Sequence, residues 1–380
     1  EETLAALHEQ RSGIAPLLYL NTLHKGLPAG EVKHTNQELM RMLGLPSTEV
    51  TTRTSLMGMI AVREALEQAA LPVANGLRIA LISGTTVGGM DMSEQYYADF
   101  LENDTRNDYI LTHDCGSCTE MIANRTGVFS MVNTISTACS SAANAIMLGA
   151  MFIRDGRADM VVAGGSECIT KFHLNGFKSF MILDGEPCKP FDANRAGINL
   201  GEGAAYVVLE TENSMRKRNI EPLCCLSGWG NACDAFHQTA SSPEGEGAYL
   251  SMMKAIDSAG LSPDDISYIN AHGTGTENND LSEGIAIQRV FRHIPPVSST
   301  KSFTGHTTSA SGGVEAVISI LALQDNFIPV NLNFSTPMKE LSFTPATVEK
   351  PAFPLQHILS NSFGFGGNNT SLIFSKTRTT

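Results

Sequence analysis

The stretch Thr137-Ala138-Cys139-Ser140-Ser141 joins a strand pattern directly to a helix pattern. The segment 128–136 before it contains the β-formers Val128, Val132 and Ile135, and the apolar helix formers of 141–154 follow it. A cysteine at such a junction lies at a helix N-terminus, where free backbone amides and the helix dipole favour thiolate over thiol. The pattern therefore predicts that Cys139 is a nucleophile with a pKa below the ordinary value of about 8.5. A lone cysteine is more often buried and inert, so this hypothesis requires partner residues elsewhere in the chain.

Length and composition exclude several classes of protein. The chain has 380 residues, of which 42% are hydrophobic and 17% charged, as in ordinary globular proteins with a large core. The net charge of -13 argues against non-specific nucleic-acid binding, and no apolar run is long enough to predict a membrane span. The eight cysteines are dispersed and do not form a disulfide framework. This distribution favours a reducing compartment, so we expect a cytoplasmic protein.

Two motifs in the first half carry little information by themselves. The glycine turn 84–89 follows the strand pattern 77–83 but lacks the Gly-x-Gly-x-x-Gly spacing of a dinucleotide-binding fold, which we therefore reject. Cys115 and Cys118 form a Cys-x-x-Cys pair, but no second pair at a suitable spacing follows, so no metal site is expected. The surrounding segment, 96–126, shows no regular periodicity and is predicted to be irregular.

The chain divides into two halves of similar style. A short charged helix pattern at 211–220 is a plausible surface connection, so we place the boundary between 1–215 and 216–380. Each half contains β-rich runs that end in loops. These runs are 77–83, 160–164 and 204–210 in the first half, and 223–230, 266–270 and 358–362 in the second.

Three loops in the second half each follow a predicted strand and contain reactive or flexible residues. His272 follows the run 266–270, Lys301 and His306 follow a strand pattern that starts at Val297, and a glycine-rich loop surrounds Phe365. Loops at strand carboxyl ends are where α/β proteins place their sites. A cysteine with two histidines makes a nucleophilic site, so the four segments together are far more informative than any one of them.

These segments resemble the elongating β-ketoacyl-acyl-carrier-protein synthases of types I and II. The resemblance runs in unbroken order from near Glu1 to about Phe374. The motifs that carry it are Thr-Ala-Cys-Ser-Ser, Ala-His-Gly-Thr-Gly-Thr, Ser-Thr-Lys-Ser-Phe-Thr-Gly-His and Asn-Ser-Phe-Gly-Phe-Gly-Gly-Asn-Asn. The resemblance implies a thiolase-like α/β fold, an α-β-α-β-α sandwich of two similar halves with a mixed five-stranded sheet in each. In the family a strand and a turn precede the first helix, so we expect the first strand to be missing from this sequence.

The resemblance also implies roles for the residues of the site. Cys139 would take up an acyl chain, with the amides of Cys139 and Phe365 as donors to the oxyanion. His272 and His306 would stabilise the enolate that forms when malonyl carrier protein loses its carboxylate. Lys301 is expected to pair with one supporting carboxylate and approach two others, and these are Glu315, Asp280 and Glu283.

Further residues match the family's substrate-binding positions. Thr274 and Thr276 correspond to the threonines that bind the pantetheine arm. Phe365 corresponds to a gating phenylalanine, and glycines such as Gly366 would give its loop freedom to move. No metal or other cofactor is implied, since the substrates are carried on the phosphopantetheine of acyl carrier protein.

The implied partners are an acyl carrier protein and a second subunit. We expect a homodimer, with a heterodimer of paralogous subunits as the alternative, and no nucleic-acid partner. A carrier protein is usually acidic, so this acidic chain would need a basic patch, for which Arg106, Lys189 and Arg195 are candidates.

Two other functions are weighed against the synthase. A cysteine hydrolase does not need the second histidine, the lysine or the Phe365 loop. A non-catalytic subunit like a chain-length factor would lack the nucleophile, which is present here. The chain departs from common family residues at Ala196, Asn279 and Ser309. The atypical segments 105–126 and 180–190 favour a specialised polyene or polyketide pathway over ordinary fatty-acid elongation, without deciding between them.

Overall fold

The computed structural model describes residues 1–71, 76–103, 106–349 and 353–377, so residue 105 of the atypical segment lies outside it. Its helices are α1 (Glu2–His8), α2 (Asn36–Met42), α3 (Arg53–Gln68), α4 (Met90–Asn103), α5 (Asn107–Ile110), α6 (Cys115–Thr126), α7 (Ser141–Arg154), α8 (Lys171–Ser179), α9 (Glu212–Arg218), α10 (Glu246–Ala259), α11 (Glu277–Val290), α12 (Lys301–Thr304) and α13 (Ser311–Asp325). Its strands are β1 (Ala15–Pro16), β2 (Pro28–Ala29), β3 (Ile79–Gly84), β4 (Met131–Ile135), β5 (Met160–Glu167), β6 (Gly203–Glu210), β7 (Cys225–Cys233), β8 (Tyr268–Asn270), β9 (Val297–Ser298), β10 (His357–Phe363) and β11 (Asn368–Ser375).

Two mixed sheets repeat the same strand order. The first runs β4-β3-β5-β6 from edge to edge. Read from the matching edge, the second runs β9-β8-β10-β11-β7, so its first four strands repeat that order. In the first sheet β4, β3 and β5 are parallel, and β6 is antiparallel to β5. In the second sheet β10, β8 and β9 are parallel, and β11 is antiparallel to both of its neighbours, β10 and β7. The predicted pair of similar halves with mixed sheets is confirmed. The predicted boundary between 215 and 216 falls inside α9, which lies between the two sheets in the chain.

The first sheet has four strands in the described residues, not the five expected in each half. In the second sheet β7 pairs with β11. The first sheet has no counterpart of β7 next to β6, because the described residues ahead of β3 form α1, α2, α3 and the two-residue strands β1 and β2, which pair with each other.

The helices form three layers around the sheets. Helices α7 and α13 pack between the two sheets in one continuous hydrophobic core. Helices α3 and α6 cover the outer face of the first sheet, and α10 and α11 cover the outer face of the second. Side chains of β3 point alternately to the two faces of the first sheet. Ala80 and Ile82 pack in the central hydrophobic cluster, and Leu81 packs in the outer cluster under α3 and α6. The architecture is therefore the expected α-β-α-β-α sandwich.

Small residues allow the central helices to approach each other and the sheets closely. A Cβ atom on Gly312 of α13 would lie 2.7 Å from the Cβ of Ala143 on α7. A Cβ on Gly84 would lie 2.6 Å from the amide nitrogen of Ala142, at the start of α7. Contacts this short exclude any side chain. This close packing fixes the N-terminal end of α7 against both halves of the chain.

The segment 96–126 is more regular than its sequence pattern indicates. It contains most of α4 and the whole of α6, so the prediction of irregular structure is wrong. Asp114 caps α6 by accepting a hydrogen bond from the Gly116 amide. Cys118 and Ile122 are buried on the face of α6 that packs against α3. Tertiary packing and a cap therefore outweigh the weak helix propensity of this segment.

A buried ion pair holds residues 199–202, whose backbone pairs with that of His306. Arg53, at the start of α3, donates to both carboxylate oxygens of Glu202. Three residues earlier, the Asn199 carbonyl accepts from the His306 amide at 2.7 Å, and the His306 carbonyl accepts from the Gly201 amide at 2.8 Å. The first half thereby positions the backbone of a histidine that belongs to the second half.

Candidate active site

The nucleophile turn, residues 137–141, is fixed by the serines that follow the cysteine. Ala138 has a φ of +51°, a conformation that is uncommon for residues other than glycine. The Ser141 hydroxyl donates to the Ala138 carbonyl at 2.6 Å and accepts from the Thr137 amide at 2.8 Å. The Ser140 hydroxyl oxygen lies 2.8 Å from both the Thr137 carbonyl oxygen and the side-chain oxygen of Asn368, and these two acceptors share its single proton. These bonds hold Cys139 between β4 and α7, where it is only 6% exposed.

The gate loop, residues 364–368, brings the second half of the chain against this turn. A Cβ atom on Gly364 would lie 3.0 Å from the Thr137 carbonyl oxygen and 3.2 Å from the Cys139 amide nitrogen, so the glycine permits the close approach. The next amide, that of Phe365, is near enough to the Cys139 sulfur to lower the pKa of the thiol. Amides from both halves, those of Cys139 and Phe365, therefore lie near the sulfur and are available to an oxyanion formed there.

The Cys139 thiol is protonated at neutral pH. Burial raises the pKa of this thiol to about 11, although the Lys301 charge and the Phe365 amide act in the opposite direction. The prediction of a lowered pKa is therefore wrong. The helix end does supply amides, but the loss of water around the sulfur destabilises the thiolate more than these amides stabilise it.

Two buried histidines from the second half lie against each other. His272 follows β8 and His306 follows α12, and their ring centroids are 5.1 Å apart with the planes at 82°. Phe363, next to Gly364 of the gate loop, lies 5.9 Å from the His272 ring, so the histidines and Cys139 share one site. Burial, followed by the charge of Lys301, lowers the pKa of both imidazoles well below 6.5. Both rings are therefore neutral at pH 7.

Lys301 fixes the tautomer of one histidine. Its ammonium group lies 3.1 Å from Nδ1 of His272 and donates to the His272 carbonyl at 2.5 Å and to the Glu315 carboxylate. These three partners use all three protons of the ammonium. Because Nδ1 of His272 faces a group that only donates, it is the acceptor nitrogen, and the proton of the neutral ring is on Nε2. His272 therefore presents a donor on its other side.

His306 has hydrogen-bonding capacity that the protein does not use. Among the described residues, neither of its ring nitrogens has a hydrogen-bond partner, although the residue is 1% exposed. A buried polar group without a partner costs free energy of about 1–3 kcal/mol unless something binds to it. The unpartnered imidazole beside the Nε2 donor of His272 is therefore suited to hold a polar atom of a ligand.

The supporting carboxylates have different hydrogen-bond partners. Glu315 contacts Lys301 as expected. Glu283 instead accepts from the amides of His272 and Gly273, both at 2.8 Å, and burial raises its pKa to about 7. Asp280 accepts from loop amides in the same way. Glu283 and Asp280 satisfy the buried amides of 272–275, while the three protons of Lys301 are used by other partners. The expectation that Lys301 approaches these two carboxylates stays a prediction.

The two threonines predicted to bind pantetheine lie together in this loop. The hydroxyl oxygens of Thr274 and Thr276 are 2.8 Å apart. Thr276 also caps α11, with its hydroxyl accepting from the Asn279 amide at 3.4 Å. Their arrangement places two hydroxyls next to His272, while the role in substrate binding stays a prediction.

Phe365 packs on aromatic rings from α8 and the residue that follows it. Its ring stacks on Phe177 with centroids 5.7 Å apart and meets Phe180 edge-on at 6.0 Å. Gly366 has a φ of +80° and open space around it, so the loop turns there without steric obstruction. The sequence predicted the mobile loop but not its aromatic partners, which are distant in the chain.

Two other buried groups near the site were not predicted. His173 on α8 contributes to the low pKa of His306, and burial lowers its own pKa to about 4. Glu167, at the end of β5, accepts from the amides of Thr86 and Val87 and from the hydroxyl of Ser309. A carboxylate of the protein itself therefore occupies the amides of the glycine turn, in agreement with the rejection of a dinucleotide site there.

Comparison with known proteins identifies the family. Residues 25–214 match the model of the beta-ketoacyl synthase N-terminal domain, and residues 223–335 match that of the C-terminal domain. The 3-oxoacyl-acyl-carrier-protein synthase 2 of Staphylococcus aureus (strain N315) is 32% identical over 92% of this chain and 87% of the relative. Nodulation protein E of Rhizobium meliloti (strain 1021) is 34% identical over 97% of this chain and 93% of the relative. The chain therefore belongs to the beta-ketoacyl synthase family of acyltransferases.

Solved structures agree with this assignment. The ishigamide ketosynthase/chain length factor superposes with a TM-score of 0.90 at 29% identity, covering 99% of this chain and 94% of the other. A ketosynthase in complex with its chain length factor from Xenorhabdus doucetiae gives 0.83 at 31% identity, covering 99% and 93%. The thiolase-like fold expected from the sequence is thus confirmed.

The raised pKa predicts how Cys139 reacts with an alkylating agent. Only the thiolate reacts, and a pKa of about 11 leaves it a minor species up to pH 9. We expect the rate of Cys139 alkylation by iodoacetamide to rise about tenfold per pH unit from pH 6 to pH 9, without a plateau. Peptide mass spectrometry measures this rate, with the peptide of the exposed Cys233 as internal control. A plateau below pH 8 would show that the thiolate is stabilised and not destabilised.

Proposed function

We propose that this protein catalyses the decarboxylative Claisen condensation of an acyl-enzyme with malonyl-acyl carrier protein, which yields 3-oxoacyl-acyl carrier protein. The observation that carries the proposal is the pair of buried, neutral imidazoles, of which His306 has no other partner among the described residues. Two neutral donors suit an oxygen on which negative charge develops, because they stabilise the charge without supplying a proton that would quench it.

The first half-reaction is acyl transfer. The sulfur of Cys139 attacks the thioester of an acyl carrier protein, and the amides of Cys139 and Phe365 stabilise the tetrahedral oxyanion. The carrier's thiol leaves and gains a proton, while the Cys139 thiol loses one. The step is therefore balanced without a net acid or base, which is compatible with a thiol that is protonated at rest.

The second half-reaction is decarboxylation and condensation. The malonyl carboxylate leaves as carbon dioxide, and its bonding electrons form an enolate whose oxygen accepts from Nε2 of His272 and from His306. The enolate carbon attacks the acyl group on Cys139, and the sulfur leaves as a thiolate. This thiolate takes up one proton from water, which is the proton that the condensation consumes overall. Lys301 contacts His272 and not the substrate, so its role is to orient that ring and keep it neutral.

The alternative functions are less well supported. A subunit like a chain-length factor has no use for a buried cysteine between two amide donors with paired histidines beside it. A cysteine hydrolase would need neither the second histidine, nor Lys301, nor the Phe365 loop with its aromatic partners Phe177 and Phe180. Both observations favour the synthase.

An acyl carrier protein is the proposed partner, and no metal or other cofactor is required by this mechanism. The basic patch predicted for the carrier needs correction at Arg195. That side chain is 9% exposed and donates to the carbonyls of Thr276 and Glu277, so it braces the loop after His272 and is not available for docking. Arg106 remains half exposed, with its guanidinium 5.0 Å from the ring of Tyr96.

We further propose a homodimer that forms along β4, with a heterodimer of paralogous subunits as the alternative. In the described residues β4 pairs only with β3, and Val132 on this edge strand is 38% exposed. Unpaired edge strands with apolar side chains tend to pair with another chain. Sedimentation of the purified protein at the monomer mass of 40.7 kDa would contradict a homodimer.

The cytoplasm is the proposed location. The described residues contain no helix that is long and apolar enough to cross a membrane, and all eight cysteines are free. Recovery of the protein outside the cytosolic fraction of its cells would contradict this proposal.

The proposed function predicts that the two half-reactions separate in variants. His272→Ala and His306→Ala should still form the acyl-enzyme but lose condensation by about 10² or more, the usual effect of removing one oxyanion donor. Cys139→Ala should form no acyl-enzyme, and Cys139→Gln should retain malonyl decarboxylation. Intact-mass measurements on the enzyme and on both carrier proteins follow each step.

The matched control is His293→Ala, because His293 is exposed and distant from the site in the fold. It should behave as the wild type in both half-reactions. Normal condensation by His306→Ala would contradict the mechanism, and acylation of Cys139→Ala would show that another residue is the nucleophile.

A further inference from the structure

One side-chain oxygen joins the gate loop to the nucleophile turn. The side-chain oxygen of Asn368, Oδ1, accepts from the Ser140 hydroxyl at 2.8 Å. It also accepts from the side-chain amide nitrogens of Asn144 at 2.8 Å and Asn231 at 2.9 Å. Ser140 is next to the nucleophile, Asn144 lies in the first turn of α7, and Asn231 lies on β7. Elements from both halves of the chain therefore meet at one atom beside the site.

The backbone of Asn368 anchors the gate loop as well. Its carbonyl accepts from the Gly364 amide at 2.9 Å, and the Gly364 carbonyl accepts from the Gly367 amide at 3.1 Å. Asn368 is also the first residue of β11 and pairs with Cys233 of β7. The residue is thus held by the second sheet, and both ends of the loop are tied to it while the Phe365 ring between them projects toward α8.

The spacing between the two halves matters for the proposed acyl transfer. One amide donor belongs to Cys139 in the first half and the other to Phe365 in the second. Oxyanion donors must lie within about 2.7–3.1 Å of the same oxygen, so displacements of a few tenths of an ångström weaken the pair. The gate loop contains three glycines and cannot fix this spacing by itself.

We propose that Asn368 is a positioning residue that keeps the Cys139 and Phe365 amides in register for acyl transfer. The inference rests on the proposed function. It assigns Asn368 to the acyl-transfer half-reaction alone, because the histidines that stabilise the enolate are positioned by Lys301, Glu283 and the Asn199 carbonyl instead.

Removal of the Asn368 side chain does not leave its three donors without a hydrogen-bond acceptor. Without Asn368 the Ser140 hydroxyl gives its one proton to the Thr137 carbonyl alone, and the side-chain amide of Asn144 keeps the Thr137 hydroxyl at 2.9 Å. The Asn231 amide keeps the Thr370 hydroxyl at 2.9 Å. Because each donor retains a partner, we expect Asn368→Ala to fold and to change mainly the link between the two loops.

The test measures the half-reactions separately. Asn368→Ala should slow acylation of Cys139 by an acyl carrier protein about tenfold or more, mainly through kcat and not KM. In the Cys139→Gln background the same substitution should change malonyl decarboxylation by less than about twofold, since Lys301 still orients His272. A structural defect of the whole site would lower both rates together.

A double-mutant cycle keeps the proposal falsifiable by a second route. Ser140→Ala removes the same link from the other side, so the double variant should be no slower than the slower single variant. Ser375→Ala, at the far end of β11, is the matched control and should retain both rates. Acylation of Asn368→Ala at the wild-type rate, strictly additive effects with Ser140→Ala, or an equal loss of decarboxylation would each overturn the inference. Failure of the wild type itself to form an acyl-enzyme would refute the proposed function and the inference with it.

Discussion

Three hydrogen bonds from one buried ammonium determine the chemistry available at this site. Lys301 donates to the ring and carbonyl of His272 and to Glu315, and so makes Nε2 of His272 the donor nitrogen. Its charge also lowers the pKa of both histidines and opposes the effect of burial on the Cys139 thiol. An isolated ammonium would cost several kcal/mol to bury, and the Glu315 carboxylate makes that burial tolerable.

The groups that would meet the substrate are uncharged, since the ion pair acts through His272. The thiol is protonated and both imidazoles are neutral because each is buried. Neutral donors suit a reaction in which negative charge appears on the substrate and must not be protonated prematurely. The site also depends on both halves, since Cys139 comes from the first and the histidines from the second. Contacts between the halves, such as Gly364 against the nucleophile turn, therefore set its geometry.

Much of the fold and the identity of the site residues follow from sequence. The predicted helix 141–154 is α7. The loops that contain Cys139, His272 and Phe365 begin where the apolar strand patterns end. Local patterns do not report contacts between residues distant in the chain. The pKa of Cys139, the partners of Lys301 and the bonds of Asn368 depend on such contacts. Asn144 did carry a signal, because it is a polar residue in an otherwise apolar turn of α7, but its partner lies 224 residues away.

The protonation of His272 tests the central claim most directly. Nitrogen-15 NMR of the enzyme labelled at histidine distinguishes the two neutral tautomers from the imidazolium, with His272→Asn as the variant that assigns the signal. The account predicts a neutral ring protonated at Nε2 from about pH 6 to pH 8, since burial and Lys301 hold the pKa well below 6.5. A ring protonated at Nδ1, or an imidazolium at pH 7, would contradict the role assigned to Lys301 and the enolate-stabilising geometry derived from it.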